Sequence, residues 1–204
     1  MSVQDSSSPA EYKVVMLGDS GVGKTSLIDK FFLGVFENTV ASTVGAAYIK
    51  SPIQLENQKV ILSIWDTAGQ ERFQSLIPLY MRNARALVFV FDVTAQNSLQ
   101  SLKQLYYSLS DQITNDMVSI LCSNKIDLVD ELTLDLTNFR EWANEHHMEL
   151  VKTSAKTGQG VNDLFKQVAN LIIEKGETSS DRTSLLLKNI VNDDPNQGKS
   201  SNCC

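Results

Sequence analysis

No apolar run in this chain approaches the ~20 residues that a membrane-spanning helix needs. Nothing in it is expected to cross a bilayer unaided. Cysteine is scarce: Cys122 stands alone, and Cys203 and Cys204 are the last two residues. That spacing gives no disulfide framework and no zinc site, and it fits a reducing compartment. The leader "MSVQDSSSPA" lacks the charged and apolar regions of a secretory signal, and Ser2 in place of Gly excludes the simple myristoylation pattern. The expected compartment is the cytosol. An excess of basic residues is also missing, and a net charge of −6 argues against nucleic acid as a partner.

What is present is the composition of a soluble globular protein, 42% hydrophobic and 21% charged over 204 residues, enough for one ordinary domain with tails. Composition separates a flexible leader (1–10), a patterned body (11–175) and a polar, flexible tail (176–204). Within the body "YKVVML", "ALVFVFDV" and "VSILCS" read as strands buried on both faces, which suits a parallel sheet. Segments of helical period lie between them. In the last, Val161, Leu164, Phe165, Val168, Ala169 and Ile172 fall on one face. "YIKSPIQL", "ENQ" and "KVILSIW" read as a hairpin that adds one antiparallel edge strand. The predicted fold class is α/β: a doubly wound, six-stranded, mostly parallel sheet with helices on both faces. Ligands of such sheets sit beyond the carboxyl ends of the strands.

The loop after the first strand is "GDSGVGKT", Gly18 to Thr25, which matches G-x-x-x-x-G-K-[ST] between a strand and a helix. Gly18, Gly21 and Gly23 let backbone N–H groups wrap around phosphate at a helix N-terminus. Lys24 supplies charge to the β- and γ-phosphates, and the Thr25 hydroxyl can ligate Mg²⁺. The third strand ends in "WDTAGQ". There the Asp66 carboxylate can hold Mg²⁺ through water, the Gly69 amide can approach a γ-phosphate, and the neutral Gln70 can orient a water for in-line attack. The fifth strand runs into "CSNKIDL". One carboxylate can accept from both N1–H and N2–H₂ of guanine, a donor pair adenine lacks, so Asp127 selects guanine. Asn124 can brace the P-loop and the base edge, and the Lys125 stem can cover one face of the ring. After the sixth strand, "TSAKTG" places the Ala155 amide where O6 is read. Each short motif is weak singly; their order and strand-end placement make the set specific.

In these residues the chain resembles the small GTPases, and among them the Rab family, over about 11–175 and again at the terminal cysteines. The resemblance implies a P-loop small G domain with Mg²⁺ and bound GTP or GDP. It adds Asp19, Ser20, Val22 and Ser26 to the nucleotide set at the P-loop, and Ser154 and Lys156 beside Ala155. Thr43 becomes the switch I residue that ligates Mg²⁺ with Thr25 and Asp66 and senses γ-phosphate. Phe36 packs edge-on to guanine. Lys24, Thr43 and Gln70 form the catalytic set. "STVGAAYIK" and "IWDTAGQERF" are similar to Rab signature segments, and Tyr48, Trp65 and Tyr80 match the aromatic triad that Rab effectors read.

Further partners implied are an exchange factor, an activating protein, a GDP-dissociation inhibitor and a prenylation escort, acting on a monomer. The expected activity is GTP hydrolysis to GDP and phosphate in a switch that regulates intracellular vesicle-mediated protein transport. No room remains between the P-loop and "WDTAGQ" for an inserted domain bearing an arginine, so intrinsic turnover should be slow, roughly 10⁻⁴ to 10⁻³ per second. Location is implied to be the cytosol and the cytoplasmic face of endomembranes. "VGAAY", with Ala47 where most Rabs carry an acid, resembles the early-endosomal subgroup, while "FQSLIPLYMR" is similar to the Golgi subgroup; both stay open.

The ending "KSSNCC" has Ser201 fourth from the end, which closes the C-a-a-X route. The resemblance implies geranylgeranyl groups on both Cys203 and Cys204. One lipid chain anchors only marginally, and Lys199, the only base after Lys188, cannot supply a polybasic second signal. Competing classes share less. An ATP-dependent kinase or ATPase would have the P-loop without needing Asp127, and a nucleotide-locked scaffold would not need Lys24, Thr25, Thr43, Asp66 and Gln70 together. His146 and His147 read as a helix C-terminus, and Cys122 reads as core. "SLLLKNIV" (184–191) reads equally as a docking segment and as loosely packed apolar chain.

Overall fold

A computed structural model describes residues 8–37, 43, 46–67, 76–130 and 134–192, with side chains of the last helix as far as Gly176. The element order is β1 (Glu11–Leu17), α1 (Lys24–Leu33), β2 (Ala46–Gln54), β3 (Lys59–Thr67), α2 (Ile77–Met81), β4 (Ala86–Asp92), α3 (Ser98–Leu109), β5 (Val118–Asn124), α4 (Thr137–Glu145), β6 (Glu149–Lys152) and α5 (Val161–Asn192). Six strands form one sheet in the order β2-β3-β1-β4-β5-β6. Every pairing is parallel except β2 with β3.

The apolar runs explain this arrangement. In β1, Val14 and Met16 face one layer while Val15 and Leu17 face the other, and all four are fully buried. A strand buried on both faces needs helices on both sides. One layer joins the sheet to α1 and α5, where Phe31 meets Phe165 with ring centroids 4.3 Å apart. The other packs α2, α3 and α4, with Phe91 stacked on Phe139 at 4.0 Å. The β2–β3 hairpin turns through residues 55–58, closed by Leu55 N–H to the Gln58 carbonyl at 2.9 Å. Pro52 lies inside β2, which the sheet tolerates because β2 is the edge strand. α5 continues to Asn192, past Lys175. No proline or glycine interrupts 177–192, and Pro195 is the first breaker beyond it. Among the described residues no helix is long and apolar enough to cross a membrane.

This topology gathers the exits of β1, β3, β4, β5 and β6 at one end of the sheet. β3 lies on one side of β1 and β4 on the other, so the strand order reverses there and a crevice opens above β1.

Candidate functional site

The crevice is a cleft of about 410 Å³. Its floor is the turn from β1 into α1. Gly23 stands at the helix N-terminus with φ 97°, and a Cβ there would run into the Asn124 side-chain amide. Gly18 has φ 139°, and its Cβ would strike the Val90 carbonyl. Both positions therefore demand glycine. The Lys24 ammonium folds back onto the loop and donates to the Gly18 and Asp19 carbonyls at 2.7 and 2.8 Å. Burial pulls its pKa down to about 8, against the raising influence of Asp66 and Asp19.

Three oxygen-bearing side chains converge beside Lys24. Thr25 Oγ1 donates to Asp66 Oδ2 at 2.6 Å, Thr43 Oγ1 donates to the same oxygen at 3.2 Å, and the two hydroxyls lie 2.9 Å apart. Burial raises the Asp66 pKa, with Thr25, Lys24 and Thr43 opposing it. The second oxygen, Asp66 Oδ1, is buried and has no hydrogen-bond partner among the described residues. A buried carboxylate oxygen left bare beside two hydroxyls is the donor set of a hard cation. Among the described residues no group of three or more His, Cys, Asp or Glu is placed to hold a metal ion. Two hydroxyls and a carboxylate are oxygen donors of the kind Mg²⁺ takes.

At the other end of the cleft, Asn124 is fully buried and donates from Nδ2 to the Val22 carbonyl at 2.9 Å. Its Oδ1 accepts from the Ala155 N–H at 3.1 Å and from Thr153 Oγ1 at 3.2 Å. The P-loop, β5 and the loop after β6 are thereby tied at one amide. Asp127 is exposed to the cleft, and its Oδ1 accepts from Ser154 Oγ at 2.6 Å. Lys125 adopts a left-handed backbone with φ 66° and pairs through Nζ with Asp92 Oδ2 at 2.7 Å. Burial would raise the Asp92 pKa, but Lys125 and Thr94 outweigh it and hold the group below the ordinary carboxylate range.

Of the residues singled out from sequence, Ser20, Gly21, Gly23, Lys24, Thr25 and Ser26 line the cleft floor. Phe36, Thr43, Asn124, Lys125, Asp127, Ala155 and Lys156 complete its walls. Gly18, Asp19 and Val22 face a second, smaller cavity behind the loop, and Ser154 is buried under Asp127. Gly69, Gln70, Cys203 and Cys204 lie outside the described residues. The Ala155 N–H, assigned from sequence to O6 of the base, is engaged here by Asn124. Glu37, Thr67 and Leu128 also line the cleft, and none was singled out from sequence. Each is the next neighbour of a residue that was. Away from the cleft, Tyr48 stacks on Trp65 at 5.4 Å, and Tyr80 lies 6.2 Å from Trp65.

Residues 13–174 match the family model described as the Ras family. The chain belongs to the Ras family. Among curated relatives it is 38% identical over 193 residues to "Ras-related protein Rab5" of Nicotiana tabacum, covering 94% of each chain. It is 34% identical over 194 residues to "Ras-related protein Rab-5A" of Dictyostelium discoideum, covering 95% of this chain and 96% of the other. Within the Ras family it is a Rab-type small GTPase, a GTP-hydrolysing switch that regulates vesicle traffic. Ras-family GTPases bind guanine nucleotide and Mg²⁺, and Rab members work with effectors, exchange factors, activating proteins and a dissociation inhibitor.

Proposed function

We propose that the 410 Å³ cleft holds GTP or GDP with Mg²⁺, the base toward Asp127 and the phosphates over Gly18–Thr25. One observation carries this reading: the cleft is lined at one end by two hydroxyls, Thr25 and Thr43, that converge on the buried Asp66 carboxylate behind them, and at the other by a carboxylate braced by Ser154. The first suits a magnesium-bound triphosphate and the second the paired donors of guanine. Thr25, Thr43 and Asp66 would hold Mg²⁺, which would supply positive charge to the phosphates.

The chain's own residues do the rest. Backbone N–H groups of the P-loop, from Asp19 through Ser26, cradle phosphate, and Lys24 turns its ammonium to the β- and γ-phosphates. A polyanion beside it restores the charge that burial disfavours. Phe36 and the Lys125 stem enclose the ring, while Lys156 and the Ala155 N–H, the latter shared with Asn124, border its edge. Gln70 orients the attacking water. Thr43 and the Gly69 amide hold the γ-phosphate, and its loss releases the segments that carry them. An activating protein supplies the positive charge this chain lacks for the transition state.

Effectors read the surface at Tyr48, Trp65 and Tyr80, geranylgeranyl groups on Cys203 and Cys204 anchor the protein, and the tail (176–204) holds the domain (11–175) off the membrane. The proposed membrane is the cytoplasmic face of the early endosome, because "VGAAY" and both Rab5-named relatives agree; the Golgi alternative has no support among them. The test is single-turnover phosphate release from bound GTP. Gln70→Leu should hold GTP yet release phosphate far more slowly, also with an activating protein, and an unaltered rate refutes the role.

A further inference from the structure

Behind the P-loop lies a second cavity of about 180 Å³, bounded by Gly18–Val22, the end of β4 and α3. Asp92 faces this cavity, whereas Lys125 lines the main cleft. Their ion pair at 2.7 Å therefore runs through the wall between the two spaces. Strand pairing builds this contact. Asp92 stands opposite Asn124 in the β4–β5 register, and Val93 N–H donates to the Asn124 carbonyl at 3.1 Å. The residue after Asn124 is thus delivered beside the carboxylate.

We propose that Asp92 is a positioning residue that fixes Lys125 along the cleft wall before nucleotide arrives, and so sets how long the nucleotide stays. This rests on the guanine-site reading above. Lysine carries a four-carbon stem with many rotamers, and ordering it at the moment of binding weakens affinity. Here the ordering is done in advance. Asp92 is itself held: its Oδ1 accepts from Thr94 N–H at 2.8 Å and from Thr94 Oγ1 at 2.7 Å, which leaves Oδ2 aimed at Lys125. Only 13% of the Asp92 side chain is exposed, so solvent screens the pair less than it would a surface one. The left-handed backbone of Lys125 is uncommon for a residue with a side chain, and a bound ammonium helps to retain it. Thr94, Asp92 and Lys125 form a chain of fixed groups leading from a strand end to the ring face.

The experiment follows dissociation of a fluorescent GDP analogue from full-length protein in Mg²⁺. Asp92→Asn keeps the shape and removes the charge, and it should speed release about tenfold. A double-mutant cycle separates positioning from general damage. If Asp92 acts through Lys125, Asp92→Asn should add little once Lys125→Met is present, whereas an unrelated structural defect would add in full. Thr94→Val should speed release by about threefold through a loosened Asp92. It decides the matter if Asp92→Asn does not fold. Unchanged release in these variants, or additive effects in the cycle, overturns the proposal alone. Wild-type protein that fails to prefer GDP over ADP overturns the guanine reading and this proposal with it.

Discussion

The Asn124 side-chain amide donates to the Val22 carbonyl at 2.9 Å across 102 residues of sequence, and its oxygen accepts from Ala155 N–H on a third loop. One fully buried amide thus fastens the loop after β1 to the end of β5 and to the loop after β6. Asn124→Ala takes from the Val22 carbonyl and the Ala155 N–H the side-chain partner that each has here. We expect a loss of about 2 kcal/mol or more of stability. Urea unfolding of nucleotide-free protein measures it, and nucleotide affinity should fall as well.

The convergence of Thr25 and Thr43 on Asp66 carries a prediction about metal. Chelating Mg²⁺ should speed GDP release from wild-type protein. Asp66→Asn keeps the volume and removes the charge that the bare Oδ1 would offer. Its affinity for Mg²⁺ in the presence of GDP should fall by about tenfold or more. Titration of Mg²⁺ against GDP release reads this directly, and an unchanged titration contradicts the assignment.

Cys122 is fully buried in β5 beside the Thr153 hydroxyl at 3.2 Å, and burial pushes its thiol up from 9.0 to about 12. Between those values the unfolded chain has given up a proton that the native state keeps, so stability should fall as pH rises from 9 toward 12. Below 9 the thiol is protonated in both states and contributes no slope. Cys122→Val should lack this part of the alkaline slope in urea unfolding. Native protein carrying Cys203→Ser and Cys204→Ser should likewise resist thiol reagents at neutral pH and react once it is denatured.

The sheet was legible because its signal is redundant. Val14 to Leu17, Ala86 to Phe91 and Val118 to Cys122 are apolar enough to need cover on both faces, and the hairpin pattern of 48–65 marks the antiparallel edge. The site was legible where chemistry dictates residue type, as at Lys24, Thr25, Asp66 and Asp127. Asp92 was not, because an acid closing an apolar strand reads as an ordinary strand exit. Its significance comes from the β4–β5 register, which sets it beside Lys125. The Asn124 partner of the Ala155 N–H was not legible either, for a related reason. Every residue but proline has an amide, so its partner is decided by geometry and not by side-chain identity.

The guanine selection proposed for this cleft rests on Asp127, whose Oδ1 is oriented by Ser154 at 2.6 Å. The most direct measurement is competition binding of GDP, ADP and xanthosine diphosphate to wild-type protein and to Asp127→Asn. Wild type should prefer GDP over both by a wide margin. Asp127→Asn should weaken GDP by about 2 kcal/mol or more, since it loses the charge-assisted pair. The new amide offers a donor to the xanthine 2-carbonyl and an acceptor to N1–H, so the preference should move toward xanthine. Equal affinity of wild type for GDP and ADP, or an Asp127→Asn protein with unaltered base preference, would contradict the reading.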